Sequence, residues 1–220
     1  MIDSSGTQCK LILLWAAFFS LVVSLGVLAY RGPGGFECVC LLLCAITGSL
    51  FLISSADLMC LFLSLEIQSL CFYVLAATGR TSEFSTEAGL KYLVLGAFSS
   101  GVLLFGTSLL YGFSGTTSLL DVSNLGVLCA TETSVGAVQF ALGSSIGVLF
   151  ILFGLLFKIG AAPFHSWVPD VYEGSPVFIT TFFAAVPKVA ILSFLLRLCA
   201  PMLAVSAENT QGLLLSSILN

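Results

Sequence analysis

Charged residues are scarce in this sequence, and their scarcity decides the solvent in which the chain folds. Only 8% of the 220 residues are Asp, Glu, Lys or Arg, whereas 58% are hydrophobic and the mean hydropathy is +1.13. A soluble domain carries roughly 25% charged residues, so this chain has too little polar surface to be solvated by water. We therefore expect an integral membrane protein surrounded by a lipid bilayer.

Residues that bind nucleic acids, metals and redox cofactors are also few. Seven Lys and Arg without a basic run do not neutralise a phosphate backbone, which excludes a nucleic-acid partner. The eight cysteines lie mostly in apolar segments, without the ligand spacing of a zinc or iron–sulfur site, and we interpret them as small apolar side chains. With one histidine and no Gly-rich nucleotide-binding loop, this chain is expected to hold no metal, haem or other cofactor.

Six long apolar segments make up most of the sequence. They cover residues 11–30, 36–53, 58–78, 87–112, 137–162 and 176–200, and each approaches or exceeds the ~20 residues that a helix needs to cross a bilayer. Because a backbone in lipid must satisfy its own hydrogen bonds, these segments predict an all-α integral membrane protein. We expect a polar loop over 113–136 and, over 201–220, a short loop followed by the start of a truncated seventh helix.

Four charged residues fall inside these segments. Glu66 and Lys188 are central in the third and sixth, Lys91 is near the start of the fourth, and Lys158 is near the end of the fifth. A charge at the middle of a bilayer costs about 2.5–3.5 kcal/mol on insertion scales, so such residues usually have a function. The alternatives are that Lys91 and Lys158 extend their ammonium groups to the headgroups, and that Glu66 and Lys188 belong to structural ion pairs.

Lysine and glutamate together are suited to proton transfer within a membrane. Burial disfavours the charged form of both side chains, whereas a neighbouring opposite charge favours it. Moving or screening the partner therefore changes which group holds the proton. This combination predicts a proton relay that needs no cofactor.

One stretch combines three prolines with the only histidine: LFKIGAAPFHSWVPDVYEGSP, residues 156–176. Prolines remove backbone donors and disturb the helix before them, so we predict a broken helix around Lys158 to Pro163 whose free carbonyls bind water. His165 follows the break, and histidine is the side chain that exchanges protons most readily near neutral pH. The alternative for His165 is an interfacial residue satisfied by backbone atoms.

Four segments carry a resemblance to a known family. The antiporter-like, proton-translocating membrane subunits of respiratory complex I are similar to DLMCLFLSLEIQSLCFYVLAA, STEAGLKYLVLGAFSSGVLLFG, FKIGAAPFHSWVPDVYEGSP and TTFFAAVPKVAILSFLLRL, in that order. The resemblance covers about residues 36–200 and implies the first five-helix half-repeat of the antiporter-like fold, with its broken helix. Residues 1–35 would form a preceding helix and turn.

The resemblance also implies roles for individual residues. Glu66 matches the family's glutamate on the helix before the lysine-bearing helices, Lys158 matches the lysine of the broken helix, and Lys188 matches the lysine of the next helix. Lys91 matches a further lysine, and His165 matches the histidine after the break. These five residues would translocate protons, with Glu66 acting electrostatically on Lys158 and with Lys188 and His165 leading to a water-filled route.

A larger assembly follows from the resemblance. Family members work beside other membrane-arm subunits of complex I, which as a whole uses NADH, FMN, iron–sulfur clusters and ubiquinone. The mitochondrial inner membrane is the favoured location, and a bacterial plasma membrane is physically equivalent. The family has two inverted half-repeats, so this chain is expected to be one piece of a split subunit completed by a separate chain, an incomplete polypeptide, or a shortened version.

Two other functions stay open at this point. A subunit of a cation/proton antiporter would carry the same buried lysines. A purely structural piece of a membrane arm would retain the charges as ion pairs, without any proton transfer.

Overall fold

A computed structural model describes the backbone of residues 4–28, 35–79, 82–131 and 135–219, and most of the side chains between residues 5 and 198. Its helices are α1 (Ser4–Leu28), α2 (Gly35–Ser54), α3 (Leu58–Ala76), α4 (Glu83–Ser114), α5 (Leu119–Thr131), α6 (Val135–Ile159), α7 (Trp167–Gly174) and α8 (Val177–Leu219). Within the described ranges, the only extended pairing is an isolated bridge between Asp57 and Ser118.

Six of these helices are long and apolar enough to cross a membrane. The candidate spans are Ser5–Ser24, Gly35–Ser54, Leu58–Ala76, Glu83–Ser114, Leu142–Ile159 and Val177–Leu198. They correspond to the six predicted segments, which confirms the all-α membrane architecture. The break after Lys158 is confirmed as well, because α6 ends at Ile159 and helix resumes at Trp167. The turn predicted within 1–35 lies mostly outside the described residues.

Large apolar side chains cover the outside of the bundle. Phe36, Phe84 and Val177 are 75%, 76% and 78% exposed, which suits a surface solvated by lipid tails. Inside, hydroxyl groups bond to their own helices: Ser49 and Ser99 each donate to the carbonyl three residues earlier, at 2.7 Å and 2.8 Å. Their polar atoms are therefore satisfied where water is excluded.

The crossing of α4 and α6 depends on glycines. A Cβ added to Gly106 would lie 2.9 Å from the carbonyl oxygen of Gly147, and one added to Gly154 would lie 2.7 Å from Leu103 Cβ. In lipid, helices associate through close van der Waals packing, which small residues permit. This contact fixes the position of α6 and therefore of its charged end.

The polar loop predicted over 113–136 is wrong for most of its length, because α5 forms there. The connection between α2 and α3 determines where α5 begins. Leu58 N–H donates to the carbonyl of Thr117, and Leu119 N–H donates to the carbonyl of Ala56, both at 2.9 Å. These contacts with another part of the chain outweigh the Gly, Ser and Thr content that favoured a loop.

The C-terminal segment also differs from its prediction. The backbone of α8 continues as one helix to Leu219, so the structure has no loop between 201 and 219 and no separate seventh helix there. Pro187 and Pro201 lie within α8 without ending it. Each removes a single backbone hydrogen bond, and membrane helices tolerate that loss when neighbouring groups compensate for it.

Candidate functional site

Glu66 and Lys158 form an ion pair between α3 and α6. Lys158 Nζ lies 3.8 Å from Glu66 Oε1, and the side chains are 10% and 24% exposed for Lys158 and Glu66. Among the described residues, neither of these two atoms has a hydrogen-bond partner. The contact is therefore electrostatic and too long for a direct hydrogen bond, which leaves both side chains able to turn toward other partners.

This pair lies deep in the bundle. Glu66 is the ninth of the 19 residues of α3 and is thus close to the middle of that span. Lys158 is in the last turn of α6, so its ammonium group reaches the middle of α3 from the end of a neighbouring helix. The break brings a helix terminus to the interior of the bundle.

Gly160 ends α6 directly after this lysine. Its φ of +75° lies in the left-handed region, and its N–H donates to Phe157 O while Ala161 N–H donates to Leu156 O, both at 3.0 Å. These two bonds form a Schellman motif, which satisfies carbonyls at a helix end. The partial negative charge of a helix C-terminus favours a cation in the last turn, which opposes the cost of burying Lys158.

Trp167, the first residue of α7, completes the end of α6. Its Nε1–H donates to Phe157 O at 3.0 Å, and its ring stacks on Tyr92 of α4 with centroids 4.9 Å apart. Water binding by free carbonyls of the break around Lys158 to Pro163 stays a prediction, and the carbonyls of Leu156 and Phe157 just before it have other partners. Protein donors occupy both carbonyls, because the chain folds back over the helix end.

Lys188 lies in the middle of the sixth span, directly after Pro187. Proline has no N–H, so the carbonyl of Phe183 lacks its usual helical donor. The nitrogen Lys188 Nζ is 5.8 Å from the centroid of the Tyr172 ring in α7, within the range of a cation–π contact. Burial raises the pKa of the Tyr172 hydroxyl, which keeps that hydroxyl neutral.

Lys91 belongs to a separate and more exposed cluster. Its Nζ lies 2.8 Å from Asp170 Oδ2 and 2.9 Å from Glu87 Oε1. The Lys91 side chain is 45% exposed, and those of Asp170 and Glu87 are 51% and 60% exposed. The structure therefore places Lys91 at a contact between α4 and α7, apart from the contact between α3 and α6.

His165 lies at an exposed position in the link between α6 and α7. Its carbonyl accepts a hydrogen bond from Val168 N–H at 3.1 Å, at the beginning of α7. Gln68, two residues after Glu66, is 3% exposed, and in the described part of the chain its amide atoms have no hydrogen-bond partner. No group of three or more His, Cys, Asp or Glu lies together as metal ligands would among the described residues.

Comparison with known proteins places the chain in a family. Residues 55–220 match the family described as NADH:quinone oxidoreductase/Mrp antiporter, transmembrane. That range includes both members of the ion pair, the break, and the two aromatic contacts of α7. The chain belongs to this family.

Individual relatives give the same result. NADH-ubiquinone oxidoreductase chain 2 of Marchantia polymorpha is 46% identical over 197 residues, which cover 90% of this chain and 40% of the relative. NADH-quinone oxidoreductase subunit N 1 of Acidiphilium cryptum is 52% identical over 162 residues, which cover 74% of this chain and 32% of the relative. These names confirm the resemblance to complex I subunits, and to subunit 2 of the mitochondrial NADH dehydrogenase in particular.

A solved structure agrees with the sequence comparisons. A chain of respiratory complex I from Thermus thermophilus superposes with a TM-score of 0.72 at 32% identity, covering 94% of this chain and 42% of that chain. This chain thus spans well under half the length of the relatives it matches.

Sequence reasoning found the charged residues but missed the residues that hold them. The pairing of Glu66 with Lys158 agrees with the resemblance, whereas the contacts made by Trp167 and Tyr172 were not predicted. Trp167 is the first residue of one eight-residue helix, and Tyr172 is the sixth. That spacing was visible in the sequence, but the helices that each ring contacts depend on the tertiary fold.

Proposed function

We propose that this chain forms part of a proton path in the membrane arm of an NADH:quinone oxidoreductase, complex I. Glu66 and Lys158 are the central proton-exchanging pair, and Lys188 and His165 continue the path. Lys91 contributes to proton translocation through its ion pair with Asp170, which attaches α7 to α4. Other subunits would hold NADH, FMN, iron–sulfur clusters and quinone, and this chain would hold no redox centre.

The separation within the Glu66–Lys158 pair is the observation that supports this proposal most directly. Burying two charges costs several kcal/mol per ion, and good geometry is needed to offset that cost. Here the charged atoms are 3.8 Å apart without a direct hydrogen bond, so the pair contributes little to the stability of the helix bundle. The absence of a direct hydrogen bond also suits proton transfer, because either side chain can turn to another partner.

A transfer step follows from this arrangement. While Glu66 is ionised, its charge and the C-terminus of α6 stabilise the proton on Lys158. When Glu66 is neutralised or turns away, the buried ammonium loses that stabilisation and releases its proton toward Lys188 and His165. One proton leaves Lys158 and one is accepted further along the path, so the step needs no electron transfer within this chain.

The proposed location is the mitochondrial inner membrane, and the proposed partners are other membrane-arm subunits of the complex. The relatives named above come from a plant and a bacterium, and the same helices would work in a bacterial plasma membrane. The helices that match the rest of these relatives would complete the path.

Native electrophoresis of gently solubilised membranes tests this function. We expect the chain to migrate in a large complex with NADH dehydrogenase activity. Migration with cation-exchange subunits and without NADH dehydrogenase activity would contradict the proposal.

A further inference from the structure

We propose that Tyr172 is a positioning residue of the proton path, whose ring face holds the ammonium group of Lys188 in its charged form and in a fixed orientation. The inference rests on the proposed function, because it assigns a role to a neighbour of a residue on that path. The resemblance and the comparisons assign Tyr172 no role.

The geometry around Lys188 is the first argument. Lys188 is in the interior of the Val177–Leu198 span, where an ammonium needs a partner. Among the described residues, no carboxylate oxygen lies within 4.0 Å of Lys188 Nζ, and this ammonium group lies over the Tyr172 ring, 5.8 Å from its centroid. The negative face of an aromatic ring attracts a cation at this distance without becoming charged itself.

The chemistry of tyrosine is the second argument. An ordinary tyrosine hydroxyl, with a pKa of about 10, is already protonated at physiological pH, and burial raises the pKa of Tyr172 further, so this group stays neutral. It therefore adds no second buried charge that would hold the proton on Lys188 permanently. A ring gives a weaker and reversible attraction, which lets the lysine keep its proton between transfers and still release it.

The placement of α7 is the third argument. Trp167, at the start of this helix, donates to the carbonyl of Phe157 beside Lys158. Tyr172, near the end of the same helix, lies against Lys188. One short helix thus contacts the surroundings of both lysines, and the ion pair between Asp170 and Lys91 attaches it to α4.

The anchoring of α7 makes the ring position reproducible. Val171, directly before Tyr172, is fully buried. A Cβ added to Gly174 would lie 2.5 Å from Ala88 Cβ and 2.6 Å from Phe84 O of α4, so α7 packs directly on that helix. The packing of Val171 before Tyr172 and of Gly174 after it therefore holds the Tyr172 ring against Lys188.

Substitutions at Tyr172 separate the ring face from the hydroxyl. The variants Tyr172→Phe and Tyr172→Trp keep an aromatic face, whereas Tyr172→Leu and Tyr172→Met replace it with a smaller apolar side chain. Each would be introduced into the intact complex and reconstituted in liposomes, where protons pumped per electron are measured during NADH-driven quinone reduction. Native gels give the amount of assembled complex, and the Met variant replaces the Leu variant if the latter fails to assemble.

We expect the Phe and Trp variants to pump at close to the unsubstituted level, and the Leu and Met variants to pump about 2- to 10-fold less per electron, in line with the strength of a partly desolvated cation–π contact. Rescue by the aromatic variants is a result that a merely structural role of the hydroxyl would not give. Equal losses in the Phe and Leu variants would overturn the ring-face role, because the shared change would be loss of the hydroxyl.

The variant Lys188→Met distinguishes failure of this inference from failure of the proposed function. We expect it to lower pumping, with no additional loss when Tyr172→Leu is combined with it. Full pumping by Lys188→Met would overturn the path through Lys188 and this inference with it. A loss in Lys188→Met with full pumping by Tyr172→Leu and Tyr172→Met would overturn this inference alone.

Discussion

Trp167 donates its indole N–H to the carbonyl oxygen of Phe157 at 3.0 Å, one residue before Lys158. Through this bond α7 covers the end of α6, which is also closed by Gly160. A helix end inside a membrane is costly unless its carbonyls find donors. These contacts are therefore what allows the buried lysine to lie at a helix terminus, where the helix dipole favours its charge.

The variant Gly160→Ala tests this construction. A non-glycine residue in the left-handed region costs roughly 1–2 kcal/mol, and a Cβ here would also lie 2.5 Å from Val168 Cγ2. We expect faster thermal inactivation of the complex at a fixed temperature and a lower level of assembly. The matched control is Gly101→Ala, because that glycine is exposed, is helical and has nothing within 4 Å of an added Cβ. Equal inactivation half-times for the two variants would contradict a structural role for Gly160.

Several features of the site could be predicted from the sequence because they depend on local patterns. Glu66 and Lys158 were recognised as charges within long apolar segments, and the break was recognised from glycine and proline in LFKIGAAPFHSWVPDVYEGSP. The hydrogen bond of Trp167 and the cation–π contact of Tyr172 could not be predicted, since they join residues on different helices. For the same reason α5 was missed, because contacts with the connection between α2 and α3 determine where it starts.

Paired substitutions test how Lys91 contributes. It is half exposed and forms an ion pair with Asp170, so we expect Lys91→Gln and Asp170→Asn to lower pumping to a similar and modest extent, since solvent weakens the attraction between exposed charges. Exchanging the two charges, Lys91→Asp with Asp170→Lys, should recover part of the loss. Protons pumped per electron give the comparison. Abolished pumping in Lys91→Gln beside normal pumping in Asp170→Asn would show instead that Lys91 carries protons itself.

The crossing of α4 and α6 is expected to be sensitive to side-chain size. In Gly106→Val the new side chain would meet the carbonyl oxygen of Gly147, at 2.9 Å for the Cβ alone. Overpacking of this kind costs about 1–3 kcal/mol, so we expect less assembled complex on native gels. The control on the same helix is Gly112→Val, where an added Cβ has nothing within 4 Å. If both variants assemble to the same extent, the close crossing of α4 and α6 is not needed for assembly of the complex.

The central claim is that the Glu66–Lys158 pair transfers protons and does not merely brace the bundle. Removing one partner leaves the other charge buried and unpaired, which costs about 3–5 kcal/mol for a fully buried pair and less for this partly exposed one. We therefore expect Lys158→Met and Glu66→Gln to lower both assembly and pumping. The combined variant leaves no unpaired charge, so assembly should recover toward the unsubstituted level.

Pumping by this combined variant, Glu66→Gln with Lys158→Met, is the most direct test. The measurement is protons pumped per electron by the assembled complex in liposomes, with NADH oxidation by an artificial acceptor as the control for electron transfer. The account predicts recovered assembly and normal oxidation by the artificial acceptor, but greatly reduced pumping. Normal pumping by the assembled combined variant would contradict it, and the pair would then be a structural contact alone.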